Sequence, residues 1–341
     1  MTLGPAPARL FDDDGNAQYG IWRGYGPSVQ TQDYGPWKRG DIRALFTEKR
    51  WLYIGLSSPE YLLGLAVVNV GYLGTGWLYL YEMKSGKLLE WSAKSPFAKG
   101  VKAERDPKTG LFSFVRGSRR IEIQSDTPSS YRKVNLDLSG AAGKIKGNIA
   151  VSDDGQNALG FLGEPSEGRF NLTYKSAGLP AEAKLELDGK EIVFKKASTR
   201  AHVDWTWGCP PRKTFWNWSA ASGVMADGRS LGWNFGAGLN EGRNFQNIVW
   251  LDGNITQFGK IHFEYKPEDI LAPWQMFDDK RSLHLEFKPC GIRKENINII
   301  LVQSRFQQPF GSYSGYITTA DGQRLQVADM LGVAEEHYAK W

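Results

Sequence analysis

The sequence predicts an all-β protein made of two antiparallel barrels in tandem, with a short C-terminal helix. Aromatic residues reach 13% and there are 39 glycines, a composition that suits strands and tight turns better than helical bundles. Many short segments alternate apolar and polar residues, as strands with one buried face do. Asp-Gly dipeptides, which favour hairpin turns, recur between them. Because 341 residues exceed one small barrel, we expect two.

The first half of the chain contains an N-terminal segment and the first predicted barrel. Residues 1–36 are rich in Gly, Asp and Pro and are expected to form an extended segment that lies across a barrel. Residues 37–175 are assigned to the first barrel. Its predicted strands are 51–56, 62–70, 77–82, 87–91, 111–116, 120–124, 133–138 and 144–151. Turn signals such as Ser85-Gly86 and Gly117-Ser118 separate them.

Residues 176–341 are assigned to the second barrel and the helix. The predicted strands here are 184–187, 191–194, 219–225, 230–235, 246–251, 255–258, 282–287, 297–303, 313–318 and 324–327. The tail, residues 333–340, is predicted to be a helix. Glu335 and Glu336 lead it and Lys340 follows, which is the order that the helix dipole prefers.

The tryptophan-rich stretch from His202 to Ser219 is the centre of the functional interpretation. Its first strand alternates: Val203, Trp205 and Trp207 share one face, and His202, Asp204 and Thr206 share the other. Pro210 and Pro211 cannot lie within a ladder, so a rigid turn that carries Arg212 and Lys213 is expected before the next strand. The tryptophans either fill a core or surround a reaction or binding cavity.

Three residues are candidate catalytic groups. Asp204 lies among indoles, and loss of hydration favours the protonated, proton-donating form of a carboxyl group. The alternative is a salt bridge to Arg212 or Lys213 across the turn. Glu241 is in a long loop before a strand, where functional residues are common, but it could equally be solvated or paired with a neighbouring arginine. His202 shares the polar face of Asp204.

A larger set of indoles, amides and one arginine is predicted to contact a ligand. Buried amides need hydrogen-bond partners, so each is either a structural element or a ligand contact. The predicted ligand-binding residues are Trp205, Trp207, Arg212, Trp216, Asn217, Trp218, Trp233, Asn234, Asn247 and Trp274.

Several classes of protein are not supported by the sequence. The four histidines have no metal-ligand spacing, residues 71–76 lack the helix that a nucleotide fingerprint requires, and there is no GxSxG motif. The net charge of +5 is scattered, without the basic stripe of a nucleic-acid-binding module. We therefore expect no metal, cofactor or nucleic acid. With no signal peptide and no apolar run long enough to span a bilayer, a cytoplasmic protein is expected, and reduced Cys209 and Cys290 are the simpler alternative to a disulfide.

Several motifs, in this order and spacing, resemble a bacterial family catalogued as domain of unknown function 2804. They are residues 71–74, 172–180, Asp204-Trp205, 216–218, Asn240-Glu241, Asp252-Gly253, Pro273-Trp274 and the tail from Ala334 to Trp341. The resemblance extends from about Trp22 to the end. The family is more distantly similar to lipocalin-like proteins that include carotenoid 1,2-hydratases, AttH-like proteins and fungal Diels–Alderases. This resemblance implies tandem lipocalin-like barrels with an apolar cavity.

The distant hydratases imply acid-initiated chemistry on an isoprenoid, lipid or polyketide-like substrate. We expect a cofactor-independent hydratase, isomerase or cyclase with Asp204 as the acid, indole faces that stabilise positive charge, and Asn217 or Asn234 holding water. Asp204→Asn is then expected to abolish turnover and to preserve the fold. The alternatives are a non-catalytic carrier of an apolar ligand and, if the tryptophans are exposed, a carbohydrate-binding or carbohydrate-active protein.

Overall fold

The computed structural model describes residues 3–27, 41–239, 245–299 and 302–341. These ranges contain a short helix, α1 (Asp41–Thr47), a 3-10 turn (Thr127–Ser129), and strands. In the first half the strands are β1 Gly20–Arg23, β2 Lys49–Ser57, β3 Tyr61–Asn69, β4 Leu73–Glu82, β5 Lys87–Pro96, β6 Val101–Ala103, β7 Leu111–Arg116, β8 Arg119–Asp126, β9 Tyr131–Gly140, β10 Gly143–Ser152 and β11 Leu159–Gly163. In the second half they are β12 Asn171–Leu187, β13 Lys190–Phe194, β14 Arg200–Gly208, β15 Lys213–Val224, β16 Ser230–Ala237, β17 Asn247–Leu251, β18 Asn254–Phe258, β19 Ile261–Glu264, β20 Trp274–Asp278, β21 Leu283–Ile299, β22 Val302–Thr318 and β23 Arg324–Lys340.

The first sheet forms a nearly closed antiparallel barrel. Its strand order is β5-β4-β3-β2-β14-β12-β10-β9-β8-β7-β6, with β11 and β13 paired to β12, and β1 paired to β11. Side chains from distant positions in this order meet in one core, for example Leu80 of β4, Phe114 of β7, Leu136 of β9 and Val203 of β14. The interior of the barrel is therefore filled by packed side chains.

The second sheet forms the second barrel, with the order β18-β17-β16-β15-β23-β22-β21-β20-β19. Its interior contains Trp233, Phe258, Trp274, Leu285 and Tyr313, among other apolar side chains, in a separate core. The predicted all-β class with two antiparallel barrels is thus confirmed.

The chain passes from the first sheet to the second between β14 and β15, through residues 209–212. The predicted rigid turn at Pro210 and Pro211 is this crossover, and the strands that it joins lie in different sheets. The predicted boundary between residues 175 and 176 lies within β12, a strand of the first sheet. The division into two domains as folding units stays a prediction.

Two of the predicted elements are wrong. The tail is not a helix, because β23 continues to Lys340 and is hydrogen-bonded to β15 on one side and β22 on the other. Pairing on both sides outweighs the helix propensity of its Ala, Glu and Lys residues. The predicted strand 297–303 is two strands, since β21 ends at Ile299, β22 begins at Val302, and these two residues pair. That run contains no Gly, Pro or Asp-Gly signal for a turn.

The outer faces of the two barrels pack against each other. In β2, Leu52, Ile54 and Leu56 point into the first barrel, so the alternation directs Tyr53 outwards. Tyr53 meets Trp218 of the second barrel at a ring-centroid distance of 5.6 Å. The strands at this interface are therefore buried on both faces.

No helix in the described ranges is long and apolar enough to cross a membrane. Cys209 is buried, Cys290 is exposed, and neither forms a disulfide.

Candidate active site

A cavity of about 230 Å³ lies between the outer faces of the two barrels. Its first wall is formed by β2, β3, β4, β12 and β14, and its second wall by β15, β16, β21, β22 and β23. The resemblance implies barrels with an apolar cavity, and this cavity is formed by the outer surfaces of both barrels. Both barrel interiors contain packed core side chains.

Asp204 of β14 is the carboxylate of the first wall. Lys175 lies directly opposite it on β12 and donates to Oδ2 from Nζ at 3.0 Å. Thr206 and Thr173 donate to Oδ1 at 3.0 and 3.3 Å, and the Trp51 indole N–H donates to Oδ2 at 3.4 Å. The partner of Asp204 is thus Lys175 and not Arg212 or Lys213. Asp204 is therefore surrounded by one ammonium group and three further hydrogen-bond donors.

Glu335 of β23 is the carboxyl group of the second wall, and it is only 6% exposed. Its Oε1 accepts a hydrogen bond from Trp216 Nε1, and its Oε2 accepts one from Gln308 Nε2, both at 2.9 Å. Burial, assisted by the charge of Asp204, raises the pKa of Glu335 to about 7, although the bonds from Trp216 and Gln308 and the charge of Lys175 oppose this rise. A large fraction of Glu335 is therefore protonated near neutral pH, as a general acid requires.

His337 is the nearest basic group to Glu335, with Nδ1 3.8 Å from Oε1. Its ring lies edge-on to Trp216 at 4.3 Å and to Phe306 at 5.3 Å, and Ser304 Oγ lies 2.9 Å from its Nε2. Burial lowers the pKa of His337 to about 3. The imidazole is therefore neutral and does not favour ionisation of Glu335.

Aromatic rings form much of the cavity surface. Trp51 on the first wall and Trp216 on the second wall are nearly parallel, at 13°, with centroids 6.4 Å apart. Further rings at the surface belong to Trp77, Trp218, Phe306 and Trp341. Aromatic faces attract positive charge, so this surface can stabilise a cation that forms inside the cavity.

Nine of the predicted site residues lie either at the cavity surface or in the core of a barrel. Five line the cavity, namely Asp204, Trp216, Asn217, Trp218 and Asn234. Four predicted tryptophans do not, because Trp205 and Trp207 lie in the core of the first barrel, and Trp233 and Trp274 lie in the core of the second. These four tryptophans therefore fill barrel cores, as the alternative interpretation of the sequence expects.

The remaining predicted polar residues lie away from the cavity surface or outside the described residues. Asn247 bonds the backbone at Gly236 and Gly259, which makes it a structural amide. Arg212 is exposed in the crossover segment. Glu241 lies outside the described residues.

His202 is buried in the first wall, with both ring nitrogens lacking a partner among the described side chains and backbone. Its ring lies 5.4 Å from that of Tyr53 and 6.1 Å from that of Trp218. Burial lowers the pKa of His202 to about 3, so it is a neutral imidazole behind the cavity surface.

Sequence reasoning missed Glu335, His337, Lys175 and Trp51 as site residues. In the tail, Val333, Glu335 and His337 stand at alternate positions, and this period of two is the signal that could have placed the carboxyl and the imidazole on one face of a strand. Among the described residues, no group of three or more His, Cys, Asp and Glu side chains converges on a metal position.

Three solved structures resemble this fold. They are an AttH candidate from Nitrosomonas europaea (11% identity, TM-score 0.48, 86% of this chain and 92% of that chain), kievitone hydratase from Nectria haematococca (10%, 0.50, 100% and 98%), and CghA with Sch210972 (10%, 0.52, 87% and 89%). At these identities the likeness concerns the fold. No curated protein sequence matches this chain.

The match to a sequence family covers nearly the whole chain, from residue 5 to residue 341, and includes both barrels and both carboxyl groups of the cavity. The protein therefore belongs to the family described as domain of unknown function 2804 (DUF2804).

Proposed function

We propose that this protein is an enzyme that hydrates, isomerises or cyclises an apolar alkene in the cavity between the barrels, with Glu335 as the proton donor. The observation that carries this proposal is the contrast between two carboxyl groups in one aromatic cavity. Asp204 is paired with a lysine ammonium, whereas Glu335 is buried with only neutral partners. Environments that separate two acids in this way define an acid and a base.

The first step transfers the Glu335 proton to one carbon of the double bond. The adjacent carbon becomes cationic, and the indole faces of Trp51 and Trp216 stabilise it. In hydration, a water oxygen bonds to this carbon and the released proton goes to Asp204. Transfer of a proton from a neighbouring carbon to Asp204 gives an isomer instead. Attack by a second double bond closes a ring and moves the positive charge to that bond, and a proton from the carbon next to the new cation then goes to Asp204. Proton return from Asp204 to Glu335 through solvent completes the cycle.

The role of Asp204 changes in this proposal from acid to base. The ammonium of Lys175 at 3.0 Å favours the charged carboxylate, which accepts a proton more readily than it donates one. Asn217 and Asn234 remain the amides proposed to hold water, because both line the cavity. We also propose that the ligand is an apolar small molecule and that the protein is located in the cytoplasm.

The similarity to solved structures supports the proposal through the fold alone. One protein with a similar fold is named a hydratase, so this architecture accommodates water addition in at least one case. Since fold does not determine chemistry, the proposal depends on the geometry of Glu335.

The test begins with native mass spectrometry and extraction of whatever co-purifies, followed by turnover of the identified molecule in D₂O. We expect deuterium at one former alkene carbon. Glu335→Gln should lower kcat by about 10²- to 10⁴-fold, and kcat should fall as the pH rises through about 7. Glu182→Gln, at an exposed position of β12, is the matched control. Undiminished turnover by Glu335→Gln contradicts the proposal.

A non-catalytic carrier is the second candidate, and the largely apolar surface of the cavity favours it. A carrier would bind the extracted molecule without deuterium incorporation, and Glu335→Gln would leave its affinity almost unchanged. The carbohydrate alternative depends on exposed tryptophans, whereas Trp205, Trp207, Trp233 and Trp274 are buried.

A further inference from the structure

The pair formed by Trp51 and Trp216 is nearly parallel, at 13°, whereas two other ring contacts across the cavity, Tyr53 with Trp218 and Trp77 with Phe306, are inclined at 89° and 55°. Trp51 is on β2 of the first wall and Trp216 is on β15 of the second, so the two indoles face each other from different barrels. Each indole N–H also bonds the carboxyl group of its own wall, Asp204 at 3.4 Å and Glu335 at 2.9 Å. Both carboxyl groups therefore lie at the edge of the ring pair.

The spacing of this pair is close to that of a clamp for a flat guest. Carbon surfaces in contact lie about 3.5–4.0 Å apart, so two rings with a third between them need at least about 7 Å. The centroids are 6.4 Å apart and the planes differ by 13°. Because the planes of two parallel rings are never farther apart than their centroids, a guest requires one of the partly buried indoles to move outwards by at least about 0.6 Å.

The volume of the cavity indicates how much of a guest can lie inside it. An engineered apolar cavity of about 150 Å³ holds one benzene molecule. The present cavity, at about 230 Å³, is about one and a half times as large, so it has room for two fused rings.

From these observations we infer that the substrate is a flat, conjugated ring system of about two fused rings, bound between Trp51 and Trp216. A ring held there presents its rim to Glu335 and Asp204, which places a conjugated double bond beside the proton donor. Conjugation also spreads the positive charge that protonation creates. The inference rests on the proposed function for the reacting bond, but binding itself can be tested with unreactive compounds.

The test compares 2-naphthol with decahydro-2-naphthol, which has the same carbon skeleton and hydroxyl group but no flat ring. Isothermal titration calorimetry gives the Kd of each. Stacking on one aromatic face is worth roughly two- to tenfold in affinity, so wild-type protein should prefer 2-naphthol by at least about fivefold. Trp51→Leu should reduce that preference by about two- to tenfold.

Two further variants separate stacking from other effects. Trp51→Phe keeps a ring but removes the N–H donor to Asp204, and it should retain the preference. Phe306→Leu removes another ring of the cavity surface and should also retain it. Equal affinity for the two probes, or a preference that survives in a folded Trp51→Leu protein, overturns the inference.

The outcome is independent of the test of catalysis. Glu335→Gln should still prefer 2-naphthol, since it keeps both indoles. Preference for 2-naphthol without turnover of any extracted molecule would support binding of a flat ring between the indoles and would contradict the proposed enzyme. Turnover that depends on Glu335, without any preference for the flat probe, would support the proposed enzyme and would contradict binding of a flat ring between the indoles.

Discussion

Glu335→Gln should remove a pH dependence of folding that the wild-type protein carries. Burial raises the pKa of Glu335 from 4.5 to about 7. Between these values the folded protein keeps a proton that the unfolded chain has released. The stabilising contribution is therefore complete below pH 4.5 and is lost as the pH rises to about 7.

The magnitude follows from the gap between 4.5 and about 7. At 1.36 kcal/mol per pH unit, this gap corresponds to about 3 kcal/mol of unfolding free energy. The glutamine side chain introduced by Glu335→Gln would keep an acceptor for the Trp216 indole but would carry no titrating proton. We therefore expect the variant to gain about 3 kcal/mol over wild type between pH 4.5 and pH 8, whatever their difference at the lower pH.

Urea unfolding followed by circular dichroism at several pH values from 4.5 to 8 measures this difference. The lowered pKa values of His202 and His337 make the folded state lose stability as the pH falls below 6.5, but this trend is common to both proteins and cancels in the difference. Glu182→Gln should follow wild type at every pH. Parallel curves for wild type and Glu335→Gln would refute the reasoning, because they would show that the buried carboxyl ionises as readily in the folded state as in the unfolded state.

Three other substitutions test the packing around the cavity by urea unfolding at pH 7. Lys175→Met leaves Asp204 buried without its counter-ion and should cost about 3–5 kcal/mol. Gly55→Ala places a methyl group 2.3 Å from the His202 ring and should cost about 1–3 kcal/mol. Ala334→Pro, in a strand paired on both sides, should cost at least about 3 kcal/mol.

Each of these substitutions has a matched control. Adding Asp204→Asn to Lys175→Met removes the unpaired charge and should recover most of the loss. His202→Ala should relieve the clash in Gly55→Ala, so the double mutant should be more stable than the sum of the single effects predicts. Ala334→Gly should cost at most about 1 kcal/mol. In the first turn of a helix proline is well tolerated, so a stable Ala334→Pro protein would contradict the strand.

The fold class was accessible from the sequence because hairpins are local. Alternation and a turn signal such as Asp188-Gly189 lie within a few residues of each other, and β12 and β13 do form a hairpin there. The tail was not accessible in this way, because its strand pairs with β15 and β22, which lie far away in sequence. Helix propensity is a local property, and the pairing that outweighs it is not.

The site was predictable only in part for the same reason. The alternation around Asp204 correctly separates a core face with Trp205 and Trp207 from a polar face. Which partner stabilises Asp204 depends on the register of β12 against β14, which sets Lys175 opposite it. Nothing in the local sequence distinguishes that lysine from Arg212, and a tryptophan has the same pattern in a core as at a cavity.

The two carboxyl groups also show why the site belongs to the interface and to neither barrel alone. The first barrel supplies Asp204 with Lys175 and Trp51, and the second supplies Glu335 with Gln308 and Trp216. Glu335 lies on the outer face of its own barrel, where water would solvate it if the other barrel were absent. Packing of the first barrel removes that water, which is the largest cause of the raised pKa of Glu335, and it also brings the charges of Asp204 and Lys175 nearby, which act on that pKa in opposite directions. The acid therefore acquires its protonated form at neutral pH from the same contact that encloses the cavity.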